Sequence, residues 1–418
     1  MQQNLNLKIL FITVTVFFSL QINLISAAEI NVCPDCKIQS IQEAVKISKA
    51  GDSIVLKPGI YREHNILIDK SITLHGNQGA VIDGDGKGTI LKIQAENVTI
   101  SSLKIINAGH SYTQDFSGIL IRDSRNFTIR DNILEKMYFG IKIENSSEGV
   151  IESNSVSGEN KNEAGAGNGV HIWHSSKIQV IDNRFYNMRD GIYFEFVENS
   201  SITENVSRDN IRYGLHFMFS NNNSYQKNIF ENNGAGVAVM FSKFTIMREN
   251  IFKDNWGTAS YGLLLKEIYD AEIINNQFIR NTIAVSVEGS TRINYRKNNF
   301  IRNGWGIKVI GACYKNIFSE NNFIGNALDV SYNSKANDNQ FSGNYWSSYT
   351  GYDLDRNGIG DVPHRPVKLF SFIVNRTPEA IILLRSMFVD LINFSEKVTP
   401  IFTPDDIIDE IPAMRAFQ

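Results

Sequence analysis

The chain has 418 residues, 42% hydrophobic and 20% charged, with 41 Lys and Arg against 44 Asp and Glu for a formal net charge of −3. That is ample for a core and ordinary for a soluble protein, and the 26 Phe and 15 Tyr suit a strand-rich chain. No basic stripe appears, so nothing predicts nucleic-acid binding.

Lys8 precedes an apolar run over residues 9–20, and Ser26-Ala27-Ala28 supplies a small-residue cleavage site. Residues 1–28 therefore read as a secretory signal peptide cut after Ala28, with an uncleaved anchor helix as the alternative. No later run reaches ~18 apolar residues, so the mature chain is not expected to span a membrane. Cys33-Pro34-Asp35-Cys36 fits a small disulfide loop, a thiol metal site or neither. Cys313 sits near a strand end and reads as a small buried residue.

Ile41-Gln42-Glu43-Ala44-Val45 predicts a short helix ending before Gly51-Asp52. Such a helix shields the open end of an apolar stack, which a solenoid needs to stay soluble. Short strands are expected at residues 53–56, 66–68, 72–74, 81–82 and 90–93.

From Gly118 to Val330 one phrase keeps returning: Gly, a large apolar residue, a variable residue, another apolar residue. Copies include Gly118-Ile119-Leu120-Ile121, Gly169-Val170-His171-Ile172, Gly214-Leu215-His216-Phe217 and Gly306-Ile307-Lys308-Val309, with Ala opening the copies at Ala284 and Ala327. The copies recur every 21 to 29 residues. An Asn opening a short apolar strand keeps step, at Asn132, Asn154, Asn183, Asn205, Asn228, Asn250, Asn276, Asn299 and Asn322. Alternation inside each copy has period two, so these are strands. Leucine-rich repeats share the period but want a Leu/Asn ladder and a helix per repeat. The remaining solution is an all-β, right-handed parallel β-helix over residues 29–345, one rung per repeat. The two longest intervals place insertions at residues 158–168 and 256–261.

In each rung the residue after Gly and the second one on point into the stack, and those between point out. Aligning the outward residues places Glu195, Met218 and Met240 in one column and His171, Tyr193 and His216 in its neighbour, with His174 just beyond Trp173. Three of the chain's 7 His and two of its 8 Met gather there. Thioether and imidazole suit Cu(I). The alternative is that the insertions or the tail cover this face and make the Met residues core.

Residues 346–377 read as an Asp/Gly-rich loop segment. Asp353, Asp355, Asn357 and Asp361 stand at a spacing like the first half of a calcium-binding loop, but His364 occupies the place of the bidentate Glu. Calcium and a solvated turn are the two readings. Residues 378–418 carry apolar residues near helical spacing, with Ile381, Leu384, Met387, Phe388 and Leu391 on one face. This amphipathic tail, broken by Pro400 and Pro404 and expected outside the repeat array, either caps the solenoid or docks on a membrane partner.

The alternative function on the outward face is a carbohydrate-binding or polysaccharide-processing β-helix, which needs clustered carboxylates or calcium plus a base. The columns carry only Glu144 and Glu195, two rungs apart.

Several longer phrases resemble the NosD proteins of nitrous-oxide-reductase maturation. They are Asp190-Gly-Ile-Tyr-Phe-Glu-Phe-Val197, Arg212-Tyr-Gly-Leu-His-Phe-Met-Phe-Ser220, Asn233-Gly-Ala-Gly-Val-Ala-Val-Met240, Tyr261-Gly-Leu-Leu-Leu-Lys-Glu-Ile268 and the run from Tyr352 through Pro363. The tail (Pro378-Glu-Ala, Leu384-Arg-Ser, Thr403-Pro404) is similar too. The resemblance implies a non-enzymatic periplasmic copper protein attached to an ABC transporter of permease NosY and ATPase NosF. It would accept Cu(I) from the lipoprotein chaperone NosL and pass it towards nitrous oxide reductase, NosZ, with the tail docking on the permease at the inner membrane. Copper is carried onto His216, Met218 and Met240, with His171, His174 and Glu195 as neighbours. His364 departs from the family, where an aromatic is expected.

Overall fold

The structure, a computed structural model, describes residues 27–159, 162–333, 338–384, 386–398 and 407–418. All but the last two residues of the expected signal peptide lie outside it.

Strands of two to six residues stack rung on rung into three all-parallel sheets of 14, 12 and 13 strands. The result is a right-handed parallel β-helix. The apolar positions of the repeated phrase, such as Ile141, Ile172, Ile192, Leu215, Val237 and Leu263, are fully buried or nearly so. Glycine recurs because neighbouring rungs approach too closely for a side chain: a Cβ at Gly214 would lie 2.8 Å from the carbonyl oxygen of Gly236. In the C-terminal half the core becomes aromatic. Phe230, Phe252, Phe278, Phe300, Phe323 and Trp346 stack with ring centroids 4.1–5.5 Å apart. The rung spacing of ~4.8 Å is itself a good ring-to-ring distance.

Asparagines hold the turns together. The side-chain oxygen of Asn154 accepts from the backbone N–H and side-chain amide of Asn132, at 3.1 and 2.9 Å. The same pair of bonds climbs through Asn183, Asn205, Asn228, Asn250, Asn276, Asn298, Asn321 and Asn344. Asn both donates and accepts, so a column of it satisfies each buried amide from the next rung. The expected markers Asn299 and Asn322 are one residue late. They sit in the following strand, where Asn322 donates to Asn299 at 2.6 Å. A second ladder, Asn210, Asn233, Asn255, Asn281, Asn303 and Asn326, was not anticipated.

The expected N-terminal helix is present as Ile41–Ile47, burying Ile41, Ala44 and Val45. Glu63 accepts from the N–H groups of Ile41 and Gln42 at its N-terminus, at 2.7 and 3.1 Å. A strand, Glu29–Val32, precedes it and opens the 14-stranded sheet. Cys33 and Cys36 form a disulfide, which takes up both thiols the metal reading needed, and Cys313 is buried.

At the C-terminal end the segment 346–377 is not all loop, because a helix runs over Leu369–Arg376. A 3-10 stretch, Pro378–Leu383, and a helix, Met387–Val398, follow. Phe370, Val374 and Val389 pack on Trp305 and Leu328 of the last rungs. The tail is therefore not wholly outside the array, and its last residues rejoin it. Buried Asp409 accepts from the N–H of Asn344 (2.9 Å), its side-chain amide (3.1 Å) and Trp346 Nε1 (3.0 Å), closing the first Asn ladder. A last rung has donors but no following rung, so an acceptor-only carboxylate is the fitting terminator. Among the described residues no helix is long and apolar enough to cross a membrane.

Candidate metal centre

The outward columns align as expected. His171, Tyr193, His216 and Ala238 are level across four rungs, and Trp173, Glu195, Met218, Met240 and Lys266 are level beside them. They belong to the strands Val170–Trp173, Asp190–Glu195, Tyr213–Met218, Ala235–Met240 and Tyr261–Lys266. Adjacent strands in a parallel sheet lie ~4.8 Å apart. Met218 and Met240 are therefore direct neighbours, while His171 stands two rungs from His216.

The face is less exposed than alternation alone predicts. His216 retains 6% exposure, Ala238 is buried, and Met218, Met240, Tyr193 and His171 are half-buried. His216 is hemmed in by rings, with Tyr193 at 5.0 Å and Tyr213 at 4.8 Å between centroids. Glu163, in the expected insertion, reaches Arg212 at 3.5 Å. Tyr193 links the columns: its hydroxyl donates to Glu195 at 3.3 Å and lies 3.7 Å from the Met218 sulfur. Burial, then the Glu195 carboxylate, push the Tyr193 phenol up to about 12, so it stays a donor at neutral pH.

His171 touches Tyr193 at 4.7 Å, and its Nδ1 is 3.2 Å from the Asn168 side-chain amide. Burial, and after it the Lys142 charge, hold His171 down to about 4, so its imidazole is neutral and able to ligate. His174 is set apart. It begins a turn at φ 44°, and its ring stacks on Phe196 at 4.6 Å. Phe196, Phe219 and Phe241 continue that external ladder with centroids 5.2 and 5.1 Å apart. The corresponding turn positions elsewhere are Asp123, Asn145, Glu267, Gly289 and Gly311, all with positive φ. Three exposed phenylalanines thus hold left-handed backbone that Asn, Asp or Gly adopts more readily.

Sequence reasoning passed over Asp190 and Arg212. Arg212 donates to both carboxylate oxygens of Asp190, at 2.9 and 2.6 Å, and this pair lies beside His216. The available signal was Asp190 itself, a charge level with Tyr213 and Ala235 in the following rungs.

The other candidates are differently placed. Asp353 accepts from the amides of Asn357 and Gly358, Asp355 from the side chain of Asn357, and Asp361 from the amide of Leu354, at 3.1, 2.9, 2.9 and 2.7 Å. That loop is closed by its own amides. Among the described residues no three His, Cys, Asp or Glu side chains converge as a metal-binding group. A site on the mapped face therefore has to draw on the thioethers. Of the tail residues, Ile381, Met387, Phe388 and Leu391 are exposed, whereas Leu384 packs partly inward on the cluster around Phe370.

A family model described as the periplasmic copper-binding protein NosD matches residues 158–351, and a right-handed β-helix model matches residues 24–167. The chain is 27% identical to the probable ABC transporter binding protein NosD of Pseudomonas aeruginosa, with 84% of this chain and 86% of that one covered. The protein of the same name from Stutzerimonas stutzeri is 25% identical, with 83% and 84% covered. The chain is thus similar to NosD proteins over most of its length. An alginate lyase of the PL6 class, in complex with a trisaccharide, shares the fold at TM-score 0.59 and 12% identity, covering 76% of this chain and 85% of that one. That likeness shows the architecture alone. The NosD model spans the rungs that carry Tyr193, His216, Met218 and Met240, and the departure noted at His364 is filled by an imidazole acting as an aromatic. His364 lies 5.0 Å from Trp346 and 5.6 Å from Tyr349 between ring centroids.

Proposed function

We propose that this chain is the periplasmic copper-handling component of an ABC transporter complex, and is not an enzyme. It accepts Cu(I) from a chaperone of the NosL kind and releases it for maturation of nitrous oxide reductase, NosZ. The observation that carries the reading is the direct register of Met218 on Met240 beside His216, a buried imidazole whose Nε2 has no hydrogen-bond partner. Two thioethers and an imidazole make a soft donor set that favours Cu(I) over harder ions. Glu195, held by Tyr193, borders the column, and His171 lies two rungs away; His174, turned into the aromatic ladder, is the candidate least suited to join.

The exposed residues Ile381, Met387, Phe388 and Leu391 support docking on a permease of the NosY kind, with an ATPase of the NosF kind on its far side. This would hold the protein at the inner membrane. Calcium at residues 353–361 is a subsidiary proposal resting on the spacing of Asp353, Asp355, Asn357 and Asp361. A calcium-dependent rise in Tm that Asp355→Ser abolishes supports it, and an unchanged Tm ends it.

The copper reading is tested by anaerobic Cu(I) competition with a chelator. Wild type is expected to bind one ion tightly, and Met218→Ala/Met240→Ala to lose it. Equal retention by both forms contradicts the site.

A further inference from the structure

We propose that the exposed aromatic ladder of His174, Phe196, Phe219 and Phe241 is the docking strip for a transient protein partner that carries Cu(I). The proposal rests on the copper reading above and says where the exchange partner seats. Each ring follows a residue of the mapped column: His174 follows Trp173, Phe196 follows Glu195, Phe219 follows Met218 and Phe241 follows Met240. The ladder is therefore one bank of that column, and a body whose donors reach the two thioethers from solvent comes alongside it. Phe196, Phe219 and Phe241 keep 37–40% of their surface exposed although their rings stack on one another. Phe244, in the same turn as Phe241, and Tyr269, one rung on, are exposed too and extend the strip.

The fold does not need these rings. At the same turn position other rungs place Asp123, Asn145, Glu267, Gly289 and Gly311. Phe196, Phe219 and Phe241 hold φ of 54°, 50° and 52° there, a region that disfavours a bulky side chain. Contiguous exposed apolar surface of this kind marks an interaction site. Two further features choose the occupant. An open hollow of about 540 Å³ lies beside the ladder, and Glu198 is its one acid among the described residues. The complementary partner face is apolar, with a Lys or Arg set to meet Glu198. The four rings span three rung steps, about 14 Å. Even with Phe244 and Tyr269, a strip that narrow falls well short of the roughly 800 Å² per partner that a stable interface buries. That size suits a carrier that docks and leaves, not a second copy of the chain or a permanent transporter subunit.

The test uses the mature chain, with the Cu(I)-loaded soluble domain of a NosL-kind chaperone as probe and Phe196→Asn/Phe219→Asn/Phe241→Asn as the variant. Asn holds left-handed backbone readily, so the variant is expected to keep the wild-type Tm or exceed it. Cu(I) transfer from the chaperone is expected to slow at least about 10-fold. Cu(I) affinity against a small-molecule chelator is expected to stay within about 2-fold, as surface changes away from the donors allow. Should the triple variant misfold, Phe219→Asn alone takes its place. A transfer rate equal to wild type overturns the proposal and leaves the copper site standing. A matching loss of affinity for Cu(I) against the chelator also overturns it, since the rings would then shape the metal site rather than seat a partner. Two other results assign the strip elsewhere and likewise overturn it: a wild-type dimer that the variant breaks, or co-purification with the permease that the variant loses. If wild type takes up no Cu(I) yet binds the chaperone more tightly than the variant does, the copper reading falls and the docking strip stands.

Discussion

Single residues decide where the ends and the tuned sites of this solenoid lie. His364 packs at a tilt against Trp346 with Nε2 unpartnered, and burial, then the Lys368 charge, hold it down to about 4. Its ordinary value is near 6.5, so the unfolded chain binds a proton that the folded one refuses. Stability from this group is complete above pH 6.5 and falls as pH drops through the window from 6.5 to 4. The expected loss is on the order of 3 kcal/mol at the acid end. His364→Phe removes that slope, which thermal melts between pH 7 and 4 measure. Asp409 is the other deciding residue. Replacing it with Ala orphans the donors of Gly343, Asn344 and Trp346 and is expected to cost at least about 3 kcal/mol. A denaturant midpoint unchanged in Asp409→Ala contradicts the terminator role. Neither residue was legible beforehand: an Asp 65 positions beyond Asn344 shows no period, and an imidazole acting as an aromatic reads as a polar residue.

Elements were far more legible, because alternation and a near-constant interval specify register without any knowledge of packing. The columns Glu195, Met218, Met240 and Tyr193, His216 follow from counting alone. Their burial does not, since it depends on how the neighbouring side chains pack, as the Tyr193 and Tyr213 rings do on His216. The slip from Asn298 to Asn299 has a similar cause. Two adjacent asparagines look alike in sequence, and only the turn geometry selects the one whose side chain faces the next rung. The tail is a third case. Its apolar spacing marked a helix, but the solenoid surface at Trp305 and Leu328 takes Phe370, Val374 and Val389, so the helical segment starts at Leu369 and bends before Met387. The remaining exposed face carries a prediction. Met387→Asp/Phe388→Asp/Leu391→Asp is expected to leave the Tm within about 1 °C, as surface changes do, while abolishing co-purification with the permease. Retained co-purification contradicts the docking role.

At the scale of the molecule the architecture offers a long face on which the proposed copper chemistry would occupy only a few rungs. The Asn ladder runs from Asn132 to Asn344 and the stacked rings from Phe230 to Trp346, so stability is built inside the solenoid and rungs are free to differ outside. The rungs that depart most from the average carry Asp190, Arg212, His216, Met218 and Met240, bordered by phenylalanines in left-handed backbone. Fold alone does not separate this arrangement from an alginate lyase of the same shape. The donor set does. The most direct measurement is therefore the anaerobic Cu(I) titration of the mature chain against a competing chelator, with Met218→Ala/Met240→Ala alongside and both forms checked for the same Tm. One tightly held ion in wild type and none in the variant is the predicted result. No binding by wild type, or undiminished binding by the variant, contradicts a copper site on this face.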